Sequence, residues 1–181
     1  MKLVITGVPG TGKTAVAKLV AKRLGLRLVE INAVVARKRL WKGKDKFGSR
    51  LVRMGPLEQE LRRLMVKEGV LVEGHLACEF GLPADFVIVL RTEPGALEER
   101  LSGRDYPKEK TDENVMAEML DYCTICSLEN YPKKSVYEVD TTLLSPEKTA
   151  SAVMLILKGK GKKYTAGKVS WGKQLEKKIT G

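Results

Sequence analysis

Histidine is all but missing from this 181-residue chain, present once at His75, and cysteine occurs only at Cys78, Cys123 and Cys126. So few thiols, odd in number, exclude a disulfide framework. Cys123 and Cys126 form a C-x-x-C, but it falls in a helical pattern with no second Cys or His pair to complete a tetrahedral metal site. Its simplest reading is two small apolar residues on one helix face. Long hydrophobic runs are also missing: nothing approaches the roughly 20 apolar residues that span a bilayer. The opening MKLVITG is too short for a secretory h-region. Together with unpaired thiols, this sets the expectation of a cytoplasmic protein with no membrane partner. The length suits one domain, and 43% hydrophobic residues can supply its core.

The net charge of +11 is unevenly spread. Residues 36–53 carry eight basic side chains against Asp45, and residues 158–181 carry eight lysines against Glu176, so each segment is +7. The remainder holds 17 basic and 20 acidic residues, a net −3. The excess cation therefore belongs to two local surfaces, suited either to polyanions or simply to solvation as a loop and a tail.

Short, nearly continuous apolar stretches predict strands at 2–6, 27–31, 70–73, 86–90 and 136–139. Helical periodicity fills 13–24, 56–68, 94–102, 112–131 and 146–157, the last opened by Ser145 and Pro146. The alternation predicts an α/β fold, a parallel sheet buried on both faces by helices, with chemistry beyond the carboxyl ends of the strands.

The first predicted strand runs directly into Gly7-Val8-Pro9-Gly10-Thr11-Gly12-Lys13-Thr14, a complete G-x-x-x-x-G-K-[ST]. Its glycines let backbone amides turn inward around phosphates, and the next helix offers unpaired N–H groups and its positive dipole end. Lys13 would reach the β- and γ-phosphates of ATP, while the Thr14 hydroxyl would ligate Mg²⁺. The strand at 70–73 closes on Glu73, followed by Gly74 and His75. A carboxylate there suits the Mg²⁺ shell opposite Thr14. His75 is placed either to orient a water or contact a transferring phosphoryl, or to be purely structural. Arg100 and Arg104 stand where a helix ends and gives way to a short connector, Gly103 to Lys110. There, mobile arginines can close over a phosphoryl group.

These stretches, ITGVPGTGKT, VLVEGHL, VIVLRTEPGALEERLSGRDYPKEKTDENVMAE and EVDTT, together resemble the nucleoside monophosphate kinases. In order and spacing they are most similar to the adenylate kinase isoenzyme six family, also called CINAP, in its archaeal form. The resemblance covers most of residues 1–157, with a weaker echo in the tail's KVSW. It implies a P-loop domain over 1–157 of the NMP-kinase type, with an acceptor segment at about 30–53, a short lid at about 103–112, and a basic tail from 158. By matching positions, Gly10, Gly12, Lys13, Thr14 and Ala15 would hold the ATP phosphates, Ala15 through its backbone N–H. Arg104 would be the lid's ATP contact, and Arg37 of the Ala36-Arg37 pair would bind the acceptor's α-phosphate.

Adenylate kinase activity on AMP or a related monophosphate is implied, together with ATP hydrolysis through the strand-end acid and histidine. So is a role in late maturation of the small ribosomal subunit, through its platform protein eleven; the two basic segments could also contact rRNA phosphates. Three departures stand out: Glu73 replaces the family's aspartate, Arg104-Asp105-Tyr106 replaces Arg-Gly-Tyr, and ARKRLWKGKDKFGSRLVR is basic where relatives tend to be acidic. Two functions follow: a kinase that works on metabolites, or an ATPase switch that assembles ribosomes. A small-metabolite kinase of the shikimate or gluconate type shares the P-loop, but no obvious polyol or carboxylate pocket follows the strand near Glu30.

Overall fold

A computed structural model describes residues 1–103 and 107–180. Five strands, β1 (Lys2–Thr6), β2 (Arg27–Glu30), β5 (Val70–Glu73), β6 (Phe86–Arg91) and β7 (Val136–Asp140), form one sheet in the order β2-β5-β1-β6-β7. Every pairing in it is parallel. Strand side chains alternate between faces, so each strand feeds two cores. Val4, Val72, Val87 and Val89 join the cluster beneath α2 (Ile31–Lys38), α3 (Met54–Leu64), α5 (Lys108–Met119) and α6 (Tyr122–Asn130). Leu3, Ile5, Leu71, Ile88 and Leu90 join the other, beneath α1 (Lys13–Leu24) and α7 (Pro146–Leu155). The α/β fold with both faces covered is as the sequence predicts.

Three elements differ from expectation. α2 fills residues read only as part of the acceptor segment, and an antiparallel hairpin, β3 (Trp41–Lys44) with β4 (Arg50–Val52), follows it. The helix predicted over 112–131 is two helices, α5 and α6, broken at Asp121, whose φ of 54° ends the first run. Aspartate tolerates that left-handed conformation, and it brings the Asp121 carboxylate to the Arg91 guanidinium.

Arg91, 1% exposed at the end of β6, gathers much of this architecture. Its Nε donates to Glu118 Oε1 at 2.7 Å and its Nη1 to Glu138 Oε1 at 2.6 Å and Thr124 Oγ1 at 3.1 Å. Burial opposes the charge, but Glu118 and Asp121 more than offset it, and the guanidinium pKa is raised. The same acids hold the C-terminal segment. Trp171 Nε1 donates to Glu118 Oε1 at 3.0 Å, and the Gly167, Lys168 and Val169 amides converge on Glu138 Oε2. Residues 165–171 thus pack on the domain, leading into α8 (Gly172–Thr180), a basic helix whose nine residues are all at least partly exposed. Among the described residues, no helix is long and apolar enough to cross a membrane.

Candidate active site

The P-loop leaves β1, the central strand, between β5 and β6. Gly7 has φ 139°, and a Cβ there would lie 2.4 Å from the Leu90 carbonyl oxygen, so only glycine lets the loop leave the sheet this tightly. At Gly10, φ is 96° and a Cβ would meet Leu97 at 2.6 Å. Helix α1 then starts at Lys13, with no side-chain cap and no acid in its first turn. Its leading amides are left for an anion.

Two clefts meet at this loop, and Gly10 and Gly12 line both. The larger, about 870 Å³, takes in Lys13, Thr14, Ala15, Lys18, Glu73 and His75 on one wall, and Asn32, Ser49, Arg50 and Lys110 on the other. The smaller, about 260 Å³, lies between the loop and Arg100, Thr141, Leu144 and Pro146.

Lys13 is buried and its Nζ donates to the Val8 carbonyl at 2.9 Å, which curls the side chain back over the loop. Glu73, 6% exposed at the end of β5, is set beside Lys13 and Thr14, with which it lines the larger cleft. Burial raises its pKa, with Glu30 adding to that, while Lys13, Thr14 and Lys18 pull the other way. A carboxylate and a hydroxyl side by side are hard oxygen donors, the set that suits Mg²⁺. The glutamate in place of aspartate thus lines the same cleft as Thr14.

His75 heads a short 3₁₀ turn, His75–Glu79, pinned by Thr6 Oγ1 donating to the His75 carbonyl at 3.0 Å. Its Nδ1 lies 3.2 Å from the Gly7 carbonyl. A carbonyl can only accept, so Nδ1 carries the proton and Nε2 is left as an acceptor. Burial, then Lys13, lowers its pKa, so the ring is neutral near pH 7.

The other expected residues fall in different places. Arg37 is exposed on α2, outside the set lining the larger cleft among the described residues. Arg104 lies outside the described residues, as do Asp105 and Tyr106. Arg100 is no mobile finger: Nη2 donates to the Thr141 and Thr142 carbonyls at 2.8 and 3.0 Å, and Nη1 reaches Thr92 and Thr141 hydroxyls at 3.2 Å. It forms a wall of the smaller cleft. Sequence reasoning missed Ser49, Arg50 and Lys110, which close the far side of the larger cleft. Lys110 Nζ donates to Ser49 Oγ, and Lys46 lies 3.5 Å from Glu113, so hairpin and α5 are tied together above it. Trp41 packs against the core, with the Arg50 guanidinium 4.2 Å over its ring.

This sheet order and loop define a P-loop kinase fold, and solved structures agree. A shikimate kinase from Acinetobacter baumannii in complex with shikimate superposes with a TM-score of 0.63 at 18% identity, covering 87% of this chain and 93% of the other. A gluconokinase from Sinorhizobium meliloti 1021 gives 0.60 at 15%, covering 89% and 93%. At such identity the likeness is one of fold alone. Residues 3–121 match the model of a family described as an AAA domain. Archaeal relatives carrying the name "Putative adenylate kinase" align nearly end to end. The protein of Thermococcus gammatolerans is 36% identical over 99% of this chain and 97% of its own length, and that of Methanocaldococcus jannaschii 35% over 94% and 93%. The chain belongs to this archaeal family and carries its AAA domain.

Proposed function

We propose that the protein is an ATP-dependent nucleoside monophosphate kinase, passing the γ-phosphoryl of ATP to AMP or a related monophosphate. The observation that carries this reading is the pair of clefts meeting at one P-loop, one for each nucleotide. The smaller, walled by Arg100 and Thr141, suits the donor's base and ribose; the larger, with Asn32, Ser49, Arg50 and Lys110, suits the acceptor. Gly10, Gly12, Ala15 and the first α1 amides would cradle the donor phosphates, with Lys13 supplying a point charge. Thr14 and Glu73 would hold Mg²⁺, which supplies charge neutralisation on the phosphates when bound. Arg104 is retained as the lid's contact to the donor.

Acceptor phosphate binding is better assigned to Arg50 and Lys110, which line the cleft, than to Arg37 alone. Neutral His75, with Nε2 as acceptor, can hold a hydroxyl or water proton beside the transferring group. The name the archaeal relatives carry, "Putative adenylate kinase", agrees with this reading. The test is a panel of monophosphates with Mg-ATP, following ADP and free phosphate together. Two ADP per AMP phosphorylated, with little phosphate, supports the kinase; phosphate release indifferent to every monophosphate refutes it.

A second reading, in keeping with the adenylate kinase isoenzyme six (CINAP) resemblance, makes the protein a cytoplasmic ATPase switch in small-subunit maturation, with a platform ribosomal protein and rRNA as partners. It is favoured by the basic hairpin and tail, where Lys42, Lys44, Lys173 and Lys177 are exposed. RNA binding that weakens steeply with salt supports it, and binding indifferent to salt counts against it.

A further inference from the structure

The three thiols, scattered in sequence, converge behind His75. The 3₁₀ turn after β5 brings Cys78 and Glu79 against Cys123 and Cys126, which lie one turn apart on α6. The Sγ atoms of Cys78 and Cys126 and a Glu79 carboxylate oxygen lie within 4.8 Å of one another. Buried Cys123 neighbours Cys78, so a third sulfur borders the group. The backbone is held for this arrangement. Asn130 Nδ2 donates to both the Cys78 carbonyl at 3.1 Å and the Cys126 carbonyl at 2.9 Å, and Tyr131 Oη donates to the Ala77 carbonyl at 2.7 Å. Glu79 is oriented by the Tyr122 hydroxyl, which donates to its Oε1.

We propose that Cys78, Cys126 and Glu79 form a three-ligand binding site for a thiophilic divalent cation of the zinc type. Zinc takes sulfur at about 2.3 Å and carboxylate oxygen at about 2.0–2.2 Å in a tetrahedron, which sets ligand atoms a little under 4 Å apart. The observed atoms, within 4.8 Å of one another, stand about 1 Å from that spacing at most. Ligation requires thiolates. Binding therefore releases thiol protons and tightens as pH rises. The partners of Cys126 in the C-x-x-C are thus supplied in space by residues some 45 positions earlier.

The site also touches the active cleft. Cys78 Sγ donates to the His75 carbonyl at 3.1 Å, and Cys123 Sγ lies 3.5 Å from His75 Nδ1. Drawing Cys78 onto an ion removes its bond to the His75 carbonyl, so occupancy changes the setting of His75.

The test uses the full-length reduced protein in excess Mg²⁺, titrated with Cd²⁺ as an optical probe and followed by the near-ultraviolet cadmium–thiolate absorption. The expected result is one saturable equivalent, displaced by Zn²⁺, weakened at least tenfold by Cys126→Ser and by Glu79→Gln, and retained in His75→Ala. Absence of a one-equivalent band overturns the site, as does equal affinity in Cys126→Ser and Glu79→Gln. Loss of the band in His75→Ala alone would put the ion in the nucleotide cleft instead, and also overturn it. If Cys126→Ser is misfolded by circular dichroism, the partly exposed Glu79→Gln decides. For the link to His75, one equivalent of Zn²⁺ should alter ATP turnover in the wild type and not in Cys126→Ser; binding with no such difference overturns the coupling.

Discussion

Glu73 and His75 answer to opposite demands of stability and chemistry. Burial raises the Glu73 pKa, so its contribution to stability is fully present below the ordinary carboxylate value and is lost as pH rises through the folded value. Its ionised form in the nucleotide-free protein is a cost borne for the cation site. Glu73→Gln should therefore raise the thermal midpoint of the nucleotide-free protein by a few degrees while lowering turnover on the order of 10- to 100-fold and raising the Mg²⁺ requirement. A melting curve and an Mg²⁺ titration check this, and a variant both less stable and fully active contradicts it. His75 runs the other way: its lowered pKa gives stability present above the ordinary histidine value of about 6.5 and lost as pH falls through the lower folded value. The acid limb of a pH–rate profile should accordingly have its midpoint below 6.5, and His75→Ala should remove that limb along with most of the activity. A midpoint above 6.5 would refute the neutral, half-buried ring.

At the scale of elements, the Arg91 cluster fixes β6, α5, α6 and the C-terminal segment to one another. Removing one partner of a buried ion group strands the others, so Arg91→Ala should destabilise by about 3–5 kcal/mol. Trp171→Ala should cost about 3 kcal/mol through lost packing and an unpaired Glu118. Denaturant melts report both, and a change under 1 kcal/mol for Arg91→Ala would show the cluster to be incidental. The sequence revealed the strands and the P-loop because continuous apolar runs and fixed glycine spacing are strong local signals. It did not reveal Arg91, Glu118 and Glu138 as interior groups, since charges on a helix or at a strand end read as solvated faces until tertiary neighbours are known. Nor was the β3–β4 hairpin legible: its strands of four and three residues carry lysine and arginine in place of an apolar alternation. The break at Asp121 lacks the glycine or proline that usually marks one.

Over the whole molecule, the site is assembled from distant parts of the chain: the P-loop, the end of β5, the hairpin and the start of α5. Glycine spacing announced the first and a strand-end acid the second. Ser49, Arg50 and Lys110 could be found only once hairpin and helix were seen to face the loop across one cleft. The central claim is that this cleft joins two nucleotides around Lys13. It is tested most directly by incubating wild type and Lys13→Ala with Mg-ATP and AMP and following ADP and phosphate together. The account predicts that the wild type converts ATP and AMP to two ADP with little phosphate. Lys13→Ala should fall at least about 100-fold while keeping its fold by circular dichroism. Full activity in a folded Lys13→Ala, or phosphate release independent of AMP in the wild type, would contradict it.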